Sequence, residues 1–315
     1  MRVLDAIDDS AIDEATSRDE FFWLDLEAHE QEHIDGLAKR FDWHPLMVED
    51  IANFGQRPKM DSYDDYVYLV FYGVRLDDEG QSAMTEVHLV VSGSYIVTFR
   101  HAGCHELDEL RARFARRPAG NEQYVVYAVL DALTDTFFPI LEAIDDHIDE
   151  LEDAIVTHPD DEQLAQVFKL KRSLVVMRRI VTPQRDLAAR TIDDINNIPG
   201  LDPGTRDYFR DVYDHLIRVS DLIDSYRDLL TGAMDVYLST VSNRLNVVMK
   251  QLTVIATIFL PLTFVTGFFG QNFGWLVGHI NSLWVFLVYG IGGLLLPCIA
   301  LFIWFRRSGF LAKDV

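Results

Sequence analysis

Residues 252–270 read LTVIATIFLPLTFVTGFFG, residues 283–305 read LWVFLVYGIGGLLLPCIALFIWF, and from Gln251 to Phe305 the chain has no Asp, Glu, Lys or Arg. Each run is about 20 apolar residues, the length that carries an α-helix across a ~30 Å hydrocarbon slab. We read both as transmembrane helices joined by an outer loop over residues 271–282. Lys250 precedes the first run and Arg306, Arg307 and Lys313 follow the second, whereas the loop has no basic residue. The positive-inside rule therefore puts both termini in the cytoplasm. Pro261 and Pro297 fall inside the runs, where neighbouring helices or waters satisfy the carbonyls they free.

Outside these runs the composition changes. The 315 residues hold 50 acidic and 28 basic side chains, a net charge of −22. The last 65 residues carry three bases and one acid, so the first 250 carry −24. Such a chain repels phosphate, which argues against nucleic-acid binding and makes cations the expected clientele. Cys104 and Cys298 give no disulfide framework, in keeping with a reducing compartment. The opening MRVLDAIDDS lacks an apolar h-region, so no cleaved signal peptide is expected. The soluble part is expected on the cytoplasmic side of the plasma (inner) membrane.

Up to about residue 120, short β-branched and aromatic runs alternate with amphipathic ones. Arg2–Ala6, Phe21–Leu26, Tyr66–Tyr72, Glu86–Val91 and Tyr95–Arg100 read as strands, and Glu27–Phe41 and His44–Asn53 as helices. Beyond Gly120 only helical periodicity remains: Glu122–Thr157, Asp160–Asp194 and Gly204 onward, broken at His158-Pro159 and Ile198-Pro199-Gly200, with Asp160 and Asp202 near the caps. The expected organisation is an α+β cytoplasmic domain over 1–120, a long-helix stalk over 121–250 and a transmembrane domain over 251–315.

The third helix decides the assembly. Between Gly204 and the first apolar run stands one glycine, Gly232, and no proline precedes Pro261, so one helix is expected to pass from cytoplasm into bilayer. At 1.5 Å per residue, roughly 65 residues span on the order of 100 Å, too long a rod for one small domain to cover. Copies of the chain must pack around one another, and identical copies favour a closed ring. Stepping by threes and fours from Asp235 gives Ser239, Ser242, Asn246, Met249, Thr253, Ala256, Leu260, Thr263 and Gly267, a stripe that stays polar or small for most of its length. One reading is close helix packing through small residues. The other is a pore lining, with Asn and Thr oxygens touching a hydrated ion and Met249 and Leu260 as apolar constrictions. Two helices per chain cannot enclose a pore, so a pore again requires an oligomer.

Other patterns carry less. His29-Glu30-Gln31-Glu32-His33 matches the zinc-protease pattern H-E-x-x-H, but no third ligand follows. His101-Ala102-Gly103-Cys104-His105 offers imidazole and thiolate for a soft metal, though a loop with incidental histidines is the favoured explanation. No G-x-x-x-x-G-K-[ST] loop is present to suggest ATP-driven pumping. None is needed: an inside-negative potential of 100 mV supplies about 4.6 kcal/mol per divalent cation.

The run from Tyr237 to Thr263, followed by Gly267-Phe-Phe-Gly-Gln-Asn-Phe273, closely resembles the CorA family of two-span metal ion transporters. His44-Pro45-Leu46, Glu49-Asp50-Ile51, Gln56-Arg57-Pro58-Lys59 and Phe209-Arg-Asp-Val-Tyr-Asp-His215 resemble it too, so the similarity covers nearly the whole chain. The resemblance implies a funnel-shaped homopentamer with an α/β cytoplasmic domain, a stalk helix continuous with the inner span and an outer ring of second helices. It implies that the Gly-Met-Asn entrance signature falls on Gly270, Gln271 and Asn272, with Asn272 as a ring of amide oxygens, and that Asn246, Met249, Leu252, Leu260 and Thr263 line the pore. Asp77 and Asp211 match the acidic pair that binds regulatory magnesium between neighbouring subunits, and Asp235 would sit in the cytoplasmic vestibule. The signature reads Gly-Gln-Asn here, and Phe273–Ser282 lacks the acidic residues of magnesium-selective members. Mg2+ is the favoured cargo, with Zn2+, Co2+ or Ni2+ as alternatives, since zinc-transporting relatives vary the middle residue and His279 stands in the loop. A reading from another class is a membrane-anchored cation sensor or scaffold with a dry central stripe. Neither reading makes or breaks a covalent bond, so no enzyme is expected.

Overall fold

The computed structural model describes residues 1–27, 30–77, 80–194, 204, 206–271, 273–279 and 282–308. His29, the break at 198–200, Asp202, Asn272 and Lys313 lie outside the described residues. The chain divides into two compact units, Met1–Asp235 and Val236–Val315.

In the first unit, β1 (Arg2–Leu4), β2 (Phe22–Glu27), β3 (Lys59–Ser62), β4 (Tyr66–Leu76), β5 (Ser82–Ser92) and β6 (Tyr95–Arg100) form one sheet in the order β1-β2-β6-β5-β4-β3. The β1, β2 and β6 neighbours are parallel, and β6, β5, β4 and β3 alternate in direction. Parallel strands need crossovers, which α1 (Asp9–Ser17), α2 (Gln31–Phe41) and α3 (Pro45–Ala52) help to supply. The pleat puts Phe22, Leu24, Tyr68, Val70, Val97 and Phe99 on one face, where they pack against Ile12, Leu37 and Met47 from these helices. The opposite face receives α4 (His105–Arg116), α5 (Glu122–Asp135) and α6 (Phe137–Thr157), with Phe114 edge-on to Trp23 at 6.2 Å. Cover on both faces explains why Tyr66–Val74 is buried at every position instead of alternately.

The free edge of β4 is closed by side chains. β3 pairs with β4 only as far as Val70. Beyond it the Gln184 amide, on α7 (Asp161–Asp194), accepts from Tyr72 N–H at 2.6 Å and donates to Tyr72 C=O at 3.3 Å. Thr136 Oγ1 accepts from Val74 N–H at 2.8 Å. An unpaired strand edge invites wrong partners, and this amide stands in for a missing strand. Gly73 permits the approach, because a Cβ there would lie 3.0 Å from Thr136 Oγ1 and 3.2 Å from Leu133 Cδ2.

Several expected boundaries move for identifiable reasons. The stretch 122–157 is two helices: Thr136 turns its hydroxyl onto Leu133 C=O and Val74 N–H, which divides α5 from α6. Taken together, 122–157 contains a window apolar enough to cross a membrane, yet 61% of that window is buried in this unit. The helix expected from Glu27 starts at Gln31, and α1, β3 and α4 were not anticipated. Asp160 caps α7 as expected, accepting from Gln163 N–H at 2.9 Å while the Gln163 side chain returns a bond to Asp160 N–H.

The long helix is continuous: α8 (Arg206–Phe269) runs 64 residues with Pro261 inside it. In the second unit follow α9 (Gly274–His279), α10 (Leu283–Val285), a π-helical stretch Phe286–Ile291 and α11 (Gly292–Arg307). The apolar windows of α8 and of Leu283–Arg307 have no buried residue, in contrast to α5 and α6.

Candidate functional site

Every member of the α8 stripe is exposed in the single chain, namely Asp235, Ser239, Ser242, Asn246, Met249, Thr253, Ala256, Leu260, Thr263 and Gly267, and so is Leu252 beside it. The half-covered positions Val254, Ile258, Pro261, Leu262 and Val265 lie on another face of the helix, and Gly293 of α11 lets Val265 Cγ1 come within 3.9 Å of where its Cβ would stand. At 100° per residue the two faces are more than a quarter turn apart, so the second span leaves the stripe uncovered.

The hydroxyls on this stripe have fixed polarity. Thr253 Oγ1 donates to Met249 C=O at 2.8 Å and Thr263 Oγ1 to Phe259 C=O at 2.9 Å. With the proton committed to the preceding turn, each hydroxyl presents only lone pairs outward. The shell of a hydrated cation presents O–H groups, which need acceptors.

At the end of α8, Gly270 N–H reaches Thr266 C=O at 2.9 Å, and a Cβ on Gly270 would stand 3.0 Å from that same oxygen. The signature needs its glycine for this reason. Phe273 N–H then donates to Gln271 C=O at 2.9 Å, closing a tight turn. Asn272 lies outside the described residues, so its expected amide ring has no geometry here.

The sequence-predicted regulatory acids sit on different elements. Asp77 ends β4, where its carboxylate accepts from Gln81 N–H at 2.8 Å and shapes the β4–β5 turn. Asp211 lies near the start of α8, accepts from Tyr127 Oη at 2.9 Å and has His215 Nε2 at 3.8 Å. Beside it, Asp131, Asp135 and His215 bring one ligand atom each within 4.8 Å of one another. His215 Nδ1 stands 3.3 Å from Asp131 and 3.6 Å from Asp135, yet Asp131 Oδ1 and His215 Nδ1 have no hydrogen-bond partner. Burial, with Asp135 nearby, holds the Asp131 carboxyl above its usual range, and burial does the same to Asp135 against the pull of His215. Two carboxylates and an imidazole in this arrangement have the donor set of a divalent-metal site.

Sequence reasoning named Asp211 and missed Tyr127, Asp131, Asp135 and His215. The available signal was the i,i+4 spacing of Asp131/Asp135 on α5 and of Asp211/His215 on α8. The other patterns resolve structurally. His33 Nδ1 caps α2 by accepting from Glu30 N–H, and burial pushes the Cys104 thiol up to about 12, so the free thiol is protonated. His101 packs its ring 3.9 Å from Phe54.

Known proteins share this architecture. The chain is 37% identical over 258 residues to the cobalt/magnesium transport protein CorA of Thermotoga maritima, covering 80% of this chain and 73% of that protein. It is 23% identical over 275 residues to the zinc transport protein ZntB of Yersinia pseudotuberculosis, covering 86% and 83%. The fold is that of the complete CorA magnesium transporter structure from Methanocaldococcus jannaschii, with a TM-score of 0.81 at 22% identity over 92% of this chain and 91% of that one. The family model for the CorA-like Mg2+ transporter protein matches residues 18–307, which takes in strands β2 to β6, the unbroken α8 and both apolar spans, and the chain belongs to that family.

Proposed function

We propose that this chain forms a passive, gated channel for hydrated divalent cations, with Mg2+ as the favoured cargo and Zn2+, Co2+ or Ni2+ next. The observation that carries this reading is the uncovered α8 stripe with its acceptor-only threonines. A ring of such helices encloses a conduit whose threonine positions accept hydrogen bonds from a cation's water shell. Met249 and Leu260 form apolar constrictions that close by excluding water, and Asp235 concentrates cations at the inner mouth. Gly270, Gln271 and Asn272 form the outer entrance. Amide oxygens suit a hard cation that keeps most of its water.

The assembly we infer is a homopentamer in the plasma (inner) membrane, with both termini and the α+β unit in the cytoplasm. In it residues 1–120, 121–250 and 251–315 act as sensing domain, stalk and transmembrane domain. Gating falls to Asp77 of one subunit and Asp211 of its neighbour. Mg2+ between them offsets carboxylate repulsion, and its loss lets the subunits separate. The Asp131, Asp135 and His215 group adjoining Asp211 adds ligands on the same side of the site.

Metal-resolved flux into protein-loaded vesicles tests the reading. Entry of Mg2+ at low internal Mg2+ is expected, lost in Asn272→Ala and kept in Gln271→Met. Absence of flux for every divalent ion would leave the chain a membrane-anchored sensor, and wild-type flux in Asn272→Ala would remove the entrance assignment.

A further inference from the structure

A cleft of about 360 Å³ lies between the β4–β5 turn and the antiparallel pair α6 and α7. Its floor is apolar: Leu76, Ile140, Ile144 and Leu170. Ile140 and Ile144 are 9% and 7% exposed, whereas Phe137, Leu141, Ile148 and Ile155 on the same helix are at 0–1%. The apolar face of α6 is therefore sealed at both ends and open in the middle, where the cleft lies. Leu76 remains 56% exposed at its edge.

The rim is polar and supplies donors. Lys169 stands on it with His147, Ser82 and Ser173. Lys169 makes no hydrogen bond or ion pair among the described residues, although the chain carries 50 acids. On α7 its neighbours are basic, since from Gln163 to Arg185 the helix carries Lys169, Lys171, Arg172, Arg178, Arg179 and Arg185 and no acid, whereas α6 across the cleft carries Glu142, Asp145 and Asp146. Among the described residues that line the cleft, Lys169 is the one side chain of fixed charge. A single lysine over an apolar floor is a poor match for a polyphosphate, which needs several cations. Pockets of about 300–1,000 Å³ with apolar walls and a few placed polar groups are the usual form of small-molecule sites.

We propose that this cleft binds a small monocarboxylate with a short aliphatic body, its carboxylate on Lys169 and its chain over Ile140 and Ile144. The ligand also touches Gly80 and Gln81, which close the β4–β5 turn through Gly80 N–H to Asp77 C=O at 3.0 Å and Gln81 N–H to the Asp77 carboxylate. Occupancy braces that turn from inside the same subunit. The site stands without the channel reading, because the contacts are within one chain and its test involves no flux.

The test uses full-length protein in lipid nanodiscs and a photoreactive diazirine analogue of hexanoate. Saturable labelling of peptides from α6 and α7 is expected, competed by hexanoate and not by hexylamine or hexanol, with slower hydrogen exchange at the Gly80 and Gln81 amides. Lys169→Met should weaken competition by hexanoate at least tenfold, and Ile144→Trp, which fills the cleft, should abolish labelling with the fold intact by circular dichroism. Equal competition by hexanol, wild-type competition in Lys169→Met, or no labelling of these peptides because a neighbouring copy fills the cleft would each overturn the proposal.

Discussion

A hydroxyl in a helix has one proton to give, and where it goes decides what the pathway offers an ion. Thr263 gives its proton to Phe259 C=O, so it faces outward as an acceptor. Replacing it with valine keeps the shape and removes that acceptor, whereas serine restores it. Losing one hydrogen bond to the ion's water in each subunit costs about 1 kcal/mol per contact. In vesicles read by a fluorescent Mg2+ indicator, Thr263→Val should take up Mg2+ at least fivefold more slowly than wild type, and Thr263→Ser near the wild-type rate. Equal rates for all three would mean that this ring does not touch the hydrated ion. The position was legible from sequence, since the three-and-four spacing from Asp235 reaches Thr263 without structural help. Its polarity was not, because both the helix backbone and an open lumen compete for the proton and only geometry says which receives it.

Elements meet where α5 docks beside the first turns of α8, and the candidate metal centre is assembled only through that contact. Each helix contributes one i,i+4 pair, visible in the sequence as two unrelated acidic turns. What the sequence could not supply was the docking that sets His215 against both Asp131 and Asp135. The break at Thr136 was hidden for a related reason: its cause is a strand edge 62 residues away, not local propensity. Both aspartates have pKa values raised by burial, so the fold favours their protonated forms. That favourable contribution is fully present below the unfolded carboxylate range and is lost as pH rises through the raised folded values. Above those raised values the metal-free protein bears two ionised, crowded carboxylates. Asp131→Asn should raise the melting temperature of chelator-treated protein at pH 7 by roughly 2–4 °C, or about 1 kcal/mol, and should remove most of the upward shift that added Mg2+ or Co2+ gives the wild type. A lower melting temperature without metal, or an undiminished metal shift, would show that the cluster is held by ion pairing with His215 and takes no metal.

At the scale of the molecule, charge is segregated along the chain: −24 in the first 250 residues and an uncharged stretch from Gln251 to Phe305. The helix that runs from the acidic part into the first apolar run was legible from the absence of breakers. The mixed strand order was not, because parallel pairing of β2 with β6 depends on 67 residues between them folding first into α2, α3 and a three-stranded meander. In the homopentamer we propose, metal binding at the periphery has to be converted into closure at the axis. Moving a two-state equilibrium from 1:99 to 99:1 takes about 5.5 kcal/mol. Spread over five equivalent interfaces, that is little more than 1 kcal/mol each, within the range of one ion bridging two partly exposed carboxylates. Removing both Asp77 and Asp211 removes the bridge at every interface, so the double variant should conduct with millimolar Mg2+ inside the vesicle, where wild type is shut. Pentamers mixed from wild-type and double-variant subunits should lose closure progressively with the variant fraction, because each interface contributes independently. Full closure of the homogeneous double variant would take Asp77 and Asp211 out of the sensor, and closure lost entirely on adding one variant subunit would replace shared small contributions with a concerted switch.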